Sequence, residues 1–173
     1  TKDSGTSTGA TTSLLGYATA DLVTAAALFD LVSKGWLQAF VSRVVASRTP
    51  FYTVLTYDGV ENWSPRHPQD APMLAAFHTH QARDKGFGPA AGPNATAVIV
   101  TLFEAQGYAV TQGASPWRLG DDERAMIGAL ANGVADACAE TGLVAPEAIA
   151  DWRAARLHAE VVIGHLDLFA RPA

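Results

Sequence analysis

The chain has a single cysteine and no apolar run long enough to cross a membrane. Cys138 has no second cysteine with which to form an internal disulfide, as is usual for proteins of a reducing compartment. No apolar run approaches the about 20 residues that a membrane-spanning helix needs, and the first residues do not resemble a secretory leader. We therefore expect a cytoplasmic protein without a membrane partner.

Positive charge is also scarce. Twelve Lys and Arg residues stand against 17 Asp and Glu residues, the formal net charge is −5 and the isoelectric point is near 5.4. The basic residues are scattered singly, so the basic patch of a nucleic-acid-binding surface is absent. A small molecule or another protein is the favoured partner.

What remains has the composition of one globular domain of 173 residues, 49% of them hydrophobic. Residues 1–13 are almost entirely Thr, Ser, Gly and Ala, which is typical of a flexible tail. We expect the folded domain to span residues 14–173.

The organising segment is the strand predicted over residues 21–27. Its apolar and small residues run without alternation, which indicates a central parallel strand covered on both faces. Asp30 follows it, and Ser33 is a helix-start signal. A helix over 34–47 and a second strand over 51–57 would complete a right-handed parallel crossover.

Further elements follow from periodicity, Pro and Gly. The residues between 60 and 70 contain prolines and predict an irregular loop. Helices are predicted over 73–84, over 94–106, from Asp121 or Asp122 to a Gly142 cap, and over 146–158; strands are predicted over 108–114 and 160–171.

Residues 21–32, Asp-Leu-Val-Thr-Ala-Ala-Ala-Leu-Phe-Asp-Leu-Val, resemble the fourth-strand motif of class I S-adenosylmethionine-dependent methyltransferases. The resemblance covers roughly residues 20–172 and implies a Rossmann-like α/β fold: a doubly wound, mostly parallel sheet with helices on both faces and an antiparallel last strand. The four strands present would lie in the order first, second, fourth, third. Three further parallel strands would lie beyond the first.

The family's cofactor-binding motifs have no counterpart before Asp21. Gly5 and Gly9 follow no strand, so they are not a nucleotide-binding turn, and the acidic residue that follows the family's second strand is missing too. We therefore expect the carboxyl-terminal part of a truncated, cleaved or incompletely represented methyltransferase, inactive as written. The strand at 21–27 would otherwise be a bare edge, so we expect a missing amino-terminal segment, a second chain or residues 14–19 to pair with it.

The resemblance places S-adenosylmethionine beside the end of the first strand. It implies that Ala25, Ala26 and Leu28 offer close-packed backbone and apolar surface to this cofactor, and that Asp30 approaches its methyl end. A carboxylate there could accept a proton or favour the cation. Alternatively, Asp30 only caps the following helix.

Aromatic and basic side chains near the end of the second strand are candidates for the acceptor site. Tyr57, Trp63 and His67 could line it. The aromatic rings could also hold the sulfonium of the cofactor by cation–π attraction. Lys85 and Phe87 belong to a loop that would be a lid hinged at Gly86 and Gly88. The alternative is a simple break between two helices.

His78 and His80 are candidate catalytic bases. Residues two apart on a helix point about 200° apart, so these two cannot bind one metal ion, and no metal is expected. An ordinary surface histidine is the alternative for at least one of them. We therefore predict a transferase that methylates a small molecule, with a non-catalytic methyltransferase-like interaction module as the alternative.

Overall fold

The structure is a computed structural model that describes residues 20–173. It is a mixed α/β domain with these elements in chain order: β1 Val23–Ala26, α1 Lys34–Ala46, β2 Phe51–Ser64, α2 Asp70–Gln81, α3 Ala95–Glu104, β3 Tyr108–Ala114, β4 Trp117–Leu119, α4 Arg124–Thr141, α5 Pro146–Arg156 and β5 Glu160–Pro172. The tail expected over residues 1–13 lies outside the described residues.

The sheet has the order β1-β2-β5-β3, with β4 also paired to β5. The last strand of the chain is antiparallel and lies between β2 and β3, which is the order that the resemblance implied. Among the described strands only β1 and β2 pair in parallel. The mostly parallel sheet that we expected is therefore not seen in this part of the chain, and the three additional parallel strands have no counterpart in it.

One group of helices packs against one face of the sheet near the start of β5, and a second group packs against the other face near its end. Val161 and Ile163 belong to a core cluster with α2, α4 and α5, whereas Leu168 and Ala170 belong to a second cluster with α1 and α3. Side chains alternate between the faces of a strand, and the odd-numbered and even-numbered residues of β5 thus contribute to different clusters. Each helical layer leaves part of its face of the sheet open.

The largest difference from expectation concerns β2, which continues through Ser64 instead of ending at Tyr57. The predicted loop over 60–70 was therefore wrong in its first half. The continuation is held by pairing with the first half of β5, from Glu61 opposite Ile163 to Ser64 opposite Glu160. Long-range pairing of this kind overrides local turn signals such as Asp58-Gly59.

Candidate functional site

A cavity of about 650 Å³ lies past the end of β1, between the second half of β2, β5 and helices α2 and α4. Its walls are largely apolar and aromatic, with a few polar groups, as is typical of small-molecule sites. Its polar and aromatic lining residues are Asp30, Tyr57, Glu61, Trp63, Phe77, His80, Gln81, Lys85, Trp117 and His165. A groove of about 760 Å³ between α4 and α5 has mainly aliphatic walls and one arginine, so it has few groups for chemistry.

Asp30 lies at the inner end of this cavity, in a single 3-10 turn after β1. Its side chain accepts a hydrogen bond from Gln81 Nε2 at 3.1 Å, and none of the described residues forms an ion pair with it. Burial raises the pKa of Asp30, while its own backbone amide and Gln81 act in the opposite direction. An acid of this kind at a cavity wall is a candidate functional group.

The alternative in which Asp30 only caps the next helix is wrong. Ser33 is the N-cap of α1, and its Oγ accepts the hydrogen bond from Trp36 N at 3.2 Å. The serine satisfies an amide at the helix start, so the aspartate is directed to Gln81 and the cavity instead.

A wide bulge in β2 brings Tyr57 and Glu61 together. Tyr57 lies opposite His165 and Glu61 opposite Ile163, so four residues of β2 advance while β5 advances two. Gly59 absorbs the irregularity with a φ of 91°, a backbone conformation that glycine adopts without strain. As a result the Tyr57 hydroxyl lies 3.3 Å from Glu61 Oε1.

Glu61 is a second carboxyl group on the cavity wall. Its Oε2 accepts a hydrogen bond from Trp63 Nε1 at 3.3 Å. Desolvation raises the pKa of Glu61, the two hydrogen bonds from Trp63 and Tyr57 lower it, and the charge of Asp70 adds a smaller increase. The cavity therefore holds two acids that favour the protonated form more than acids in water do.

Two further buried groups on the cavity wall have an atom without a hydrogen-bond partner among the described residues. They are His165 Nδ1 and Gln81 Oε1, and both side chains are less than a tenth exposed. Because such atoms are costly to leave unsatisfied, they are available to a ligand or a water molecule in the cavity.

The two histidines of α2 point to different places. His80 lines the cavity and its Nε2 lies 3.0 Å from Glu140 Oε2, whereas His78 Nε2 lies 3.0 Å from the Tyr57 hydroxyl and lines another pocket. They cannot share one ion. Within residues 20–173 no group of three or more His, Cys, Asp or Glu side chains is placed to hold a metal.

The loop after α2 lies at the mouth of the cavity. Lys85 lines the cavity and is exposed. Phe87 does not reach it: its ring packs edge-on against Trp36 at 6.2 Å between centroids. Gly86 and Gly88 have φ values of 96° and 79°, so both expected hinge positions have a backbone conformation that favours glycine.

Other predicted site residues lie elsewhere. His67 was expected to line the acceptor site together with Trp63. Its Nε2 lies 3.1 Å from Asp151 Oδ2, away from the cavity that Asp30 lines, so this expectation is wrong. Trp63 does line that cavity. Ala25, Ala26 and Leu28 do not line the cavity; the alanines lie on the edge strand, and Leu28 packs against the α1–α3 core.

Five polar or aromatic residues of the cavity were not predicted from the sequence: Glu61, Phe77, Gln81, Trp117 and His165. The Asp58-Gly59 pair inside a β-branched and aromatic run is a bulge signal that could have placed Glu61 beside Tyr57. No local signal exists for His165, which reaches the cavity through pairing across the chain.

The sequence matches no protein-family model and no curated protein. Among the described residues, no helix combines the length and the apolar character needed to cross a membrane.

Proposed function

We propose that the chain is the acceptor-binding part of an S-adenosylmethionine-dependent methyltransferase that acts on a small molecule. The observation that carries the proposal is the cavity at the end of β1. Among its aromatic walls Asp30 is buried and Glu61 is half-buried. The agreement of the strand order with the order implied by the resemblance supports it. On this proposal the described sheet is the carboxyl-terminal part of a doubly wound one.

The described residues suit only the methyl end of the cofactor. Asp30 is a buried acid that forms no ion pair among them, although the charge of His165 lowers its pKa slightly. A sulfonium is a cation of the kind that a carboxylate and aromatic faces hold. When bound, S-adenosylmethionine would supply an electrophilic methyl group: a lone pair of the acceptor forms the new bond to carbon, and the electron pair of the carbon–sulfur bond stays on sulfur.

The residues of this chain would orient the acceptor and exclude water from it. Trp63, Trp117 and Phe77 form apolar walls, and a water-poor cavity strengthens the electrostatic effect of its carboxylates. Lys85 stands at the entrance, where a loop could close over the ligand.

Calorimetric titration with S-adenosylmethionine tests the proposal. The protein translated from the whole reading frame should bind the cofactor, and Asp30→Asn should weaken binding about tenfold, equivalent to about 1.4 kcal/mol. Asp122→Asn is the matched control, because Asp122 is exposed and lies outside the cavity. Absence of binding by the unaltered protein would refute the proposal.

An interaction module is the second candidate, favoured by a separate observation. Tyr52 and Phe169 are exposed and lie directly opposite each other on β2 and β5, so the sheet presents apolar surface. An interaction module would bind no cofactor in the same titration.

A further inference from the structure

The Tyr57 hydroxyl lies between a carboxyl group and an imidazole. Glu61 Oε1 is 3.3 Å from it and His78 Nε2 is 3.0 Å from it. A tyrosine hydroxyl has one proton, so Tyr57 donates to one neighbour and accepts from the other. The two arrangements differ in which neighbour holds the proton that faces Tyr57.

This hydrogen-bonded row joins two separate openings of the protein. Tyr57 and Glu61 line the cavity described above. His78 lines another pocket, of about 610 Å³, together with Lys34, Asp58 and Asn94. A proton that enters the row at Glu61 can therefore leave it at a different surface.

We propose that Glu61, Tyr57 and His78 form a proton relay that removes the proton of the methyl acceptor from the cavity and delivers it to the pocket beside His78. The relay rests on the proposed function, because the acceptor is its proton source. It implies an acceptor whose nucleophilic oxygen or nitrogen carries a proton to be lost.

The proton moves in three balanced steps. The Glu61 carboxylate takes the proton from the acceptor. The Glu61 hydroxyl then donates its proton to the Tyr57 oxygen while the Tyr57 proton passes to His78 Nε2. The resulting imidazolium releases its Nδ1 proton to water, so that Glu61 is again a carboxylate, Tyr57 again a phenol and His78 a neutral imidazole with its proton on Nε2. Exchange of the ring protons with water and rotation of the Tyr57 hydroxyl back toward His78 restore the starting arrangement before the next turnover.

The ionisation tendencies of the three groups suit these roles. Burial raises the pKa of Glu61, which makes it a stronger base near neutral pH. Burial, with the nearby Glu61, Asp58 and Asp30, raises the pKa of Tyr57, so the phenol passes a proton on without becoming an anion. Burial lowers the pKa of His78, so its imidazolium readily gives up a proton to water but forms less readily, and the transfer from Glu61 to His78 is the energetically demanding step of the relay.

Other charged side chains lie near the row, and of these Asp30 and Asp58 raise the pKa of Tyr57. Asp70 raises the pKa of Glu61 slightly, and Lys34 stands across the pocket that His78 lines. None of them is hydrogen-bonded to both Glu61 and His78, so the hydrogen-bonded connection between these two groups runs through the Tyr57 hydroxyl. A direct effect of the Glu61 charge on His78 would survive the loss of that hydroxyl.

Nitrogen-15 NMR of the histidine rings in the 173-residue chain, recorded across the acid-to-alkaline range, tests the relay without cofactor. The His78 nitrogen shifts should show two inflections, one from the imidazole itself and one from Glu61. Tyr57→Phe and Glu61→Gln should each remove the inflection due to Glu61. Tyr52→Phe, at an exposed tyrosine of the same strand, should leave both in place.

A single His78 inflection that neither variant changes would overturn the relay. If Tyr57→Phe fails to fold, fluorotyrosine at position 57 takes its place: it keeps the hydroxyl and lowers its pKa, so the inflection due to Glu61 should move, whereas an effect through space alone would leave it in place. In the methylating protein Glu61→Gln should lower kcat at least about 100-fold. Cofactor binding without coupling between Glu61 and His78 refutes the relay alone, whereas coupling without cofactor binding refutes the proposed function alone.

Discussion

Asp30 illustrates what a single residue reveals and what it hides. Its position after a buried apolar run predicted that it lies where open α/β sheets bind ligands, and it does line the cavity. The choice between helix cap and site residue could not be made from sequence, since Asp and Ser both favour cap positions. It required knowing that Ser33 receives the Trp36 amide.

Replacement of Asp30 by asparagine should stabilise the protein at neutral and alkaline pH. Burial raises the pKa of this acid in the folded state, so its contribution to stability is full below its ordinary pKa and is lost as pH rises through the raised value. The side-chain amide of the variant never ionises. We expect the variant to gain about 0.5–2 kcal/mol at about pH 8.

Urea unfolding at about pH 4 and about pH 8 measures this effect. The advantage of Asp30→Asn should shrink toward the lower pH, where less of the ionised form remains in the folded state and in the unfolded state. An equal effect at both pH values would show that ionisation of Asp30 is not what strains the fold.

At the scale of the element, local signals were sufficient where an element carries its own caps. The bounds of β3 were predicted in full, and α4 ends at Gly142 with a φ of 66° as the Gly cap implied. Local signals failed for β2, because its second half is held by pairing with β5, which lies about a hundred residues further along the chain. The missed cavity residue Glu61 follows from that failure.

Helix α5 is fastened to the chain between β2 and α2 by Arg156. The guanidinium is 1% exposed, donates to Pro65 O at 2.8 Å, and lies 5.7 Å and 6.0 Å from the ring centroids of Trp63 and Trp152. Arg156→Ala removes these contacts and should lower the free energy of unfolding by about 3–5 kcal/mol.

Chemical denaturation with Arg153→Ala as the control checks this value. Arg153 lies on the same helix, but its side chain is 39% exposed and pairs with Asp136, so its loss should cost less than about 1 kcal/mol. Similar losses for the two arginines would contradict the role given to Arg156.

The loop between α2 and α3 depends on one carboxylate. Asp84 Oδ1 accepts hydrogen bonds from the amides of Gly86 and Gly88 at 2.7 Å and 2.9 Å. Asp84→Ala should speed amide exchange in residues 84–89 while changing the global free energy of unfolding by less than about 1 kcal/mol. Hydrogen-exchange mass spectrometry measures this, with Lys85→Ala as the control. Equal exchange rates in the two variants would contradict the prediction.

At the scale of the whole molecule, the strand order could be predicted from the resemblance. The position of the cavity could be predicted because open α/β sheets bind ligands at the carboxyl ends of their strands. The closure of the cavity could not be predicted. Met126, Leu130 and Val134 of α4 form one of its walls, and an amphipathic pattern shows that a helix packs without showing what it packs against.

Strand β1 is the edge of the sheet in the part of the chain that the structure describes. The amides of Val23 and Ala27 donate to Pro50 O and Val54 O, so the amides of Leu22, Thr24 and Ala26 face the opposite side. We predict that further polypeptide or a second chain pairs there, because an unprotected edge strand invites association.

Amide exchange and light scattering test this with an internal control. Exchange should be slow at Val23 and Ala27 in any case, and slow at Leu22, Thr24 and Ala26 only with a second neighbour. In the protein translated from the whole reading frame, a monomer with fast exchange at those three amides would refute the prediction.

The insertion of β5 between β2 and β3 affects how the protein is made. β2 and β3 do not pair with each other, so no sheet links them until residues 160–172 have left the ribosome. Until then the edge of β2 that pairs with β5 stays unpaired, a condition that favours chaperone binding and aggregation. His165 and Ile163 of β5 also line the cavity, so the cavity is complete only once β5 takes its place in the sheet, after the other described elements have been synthesised.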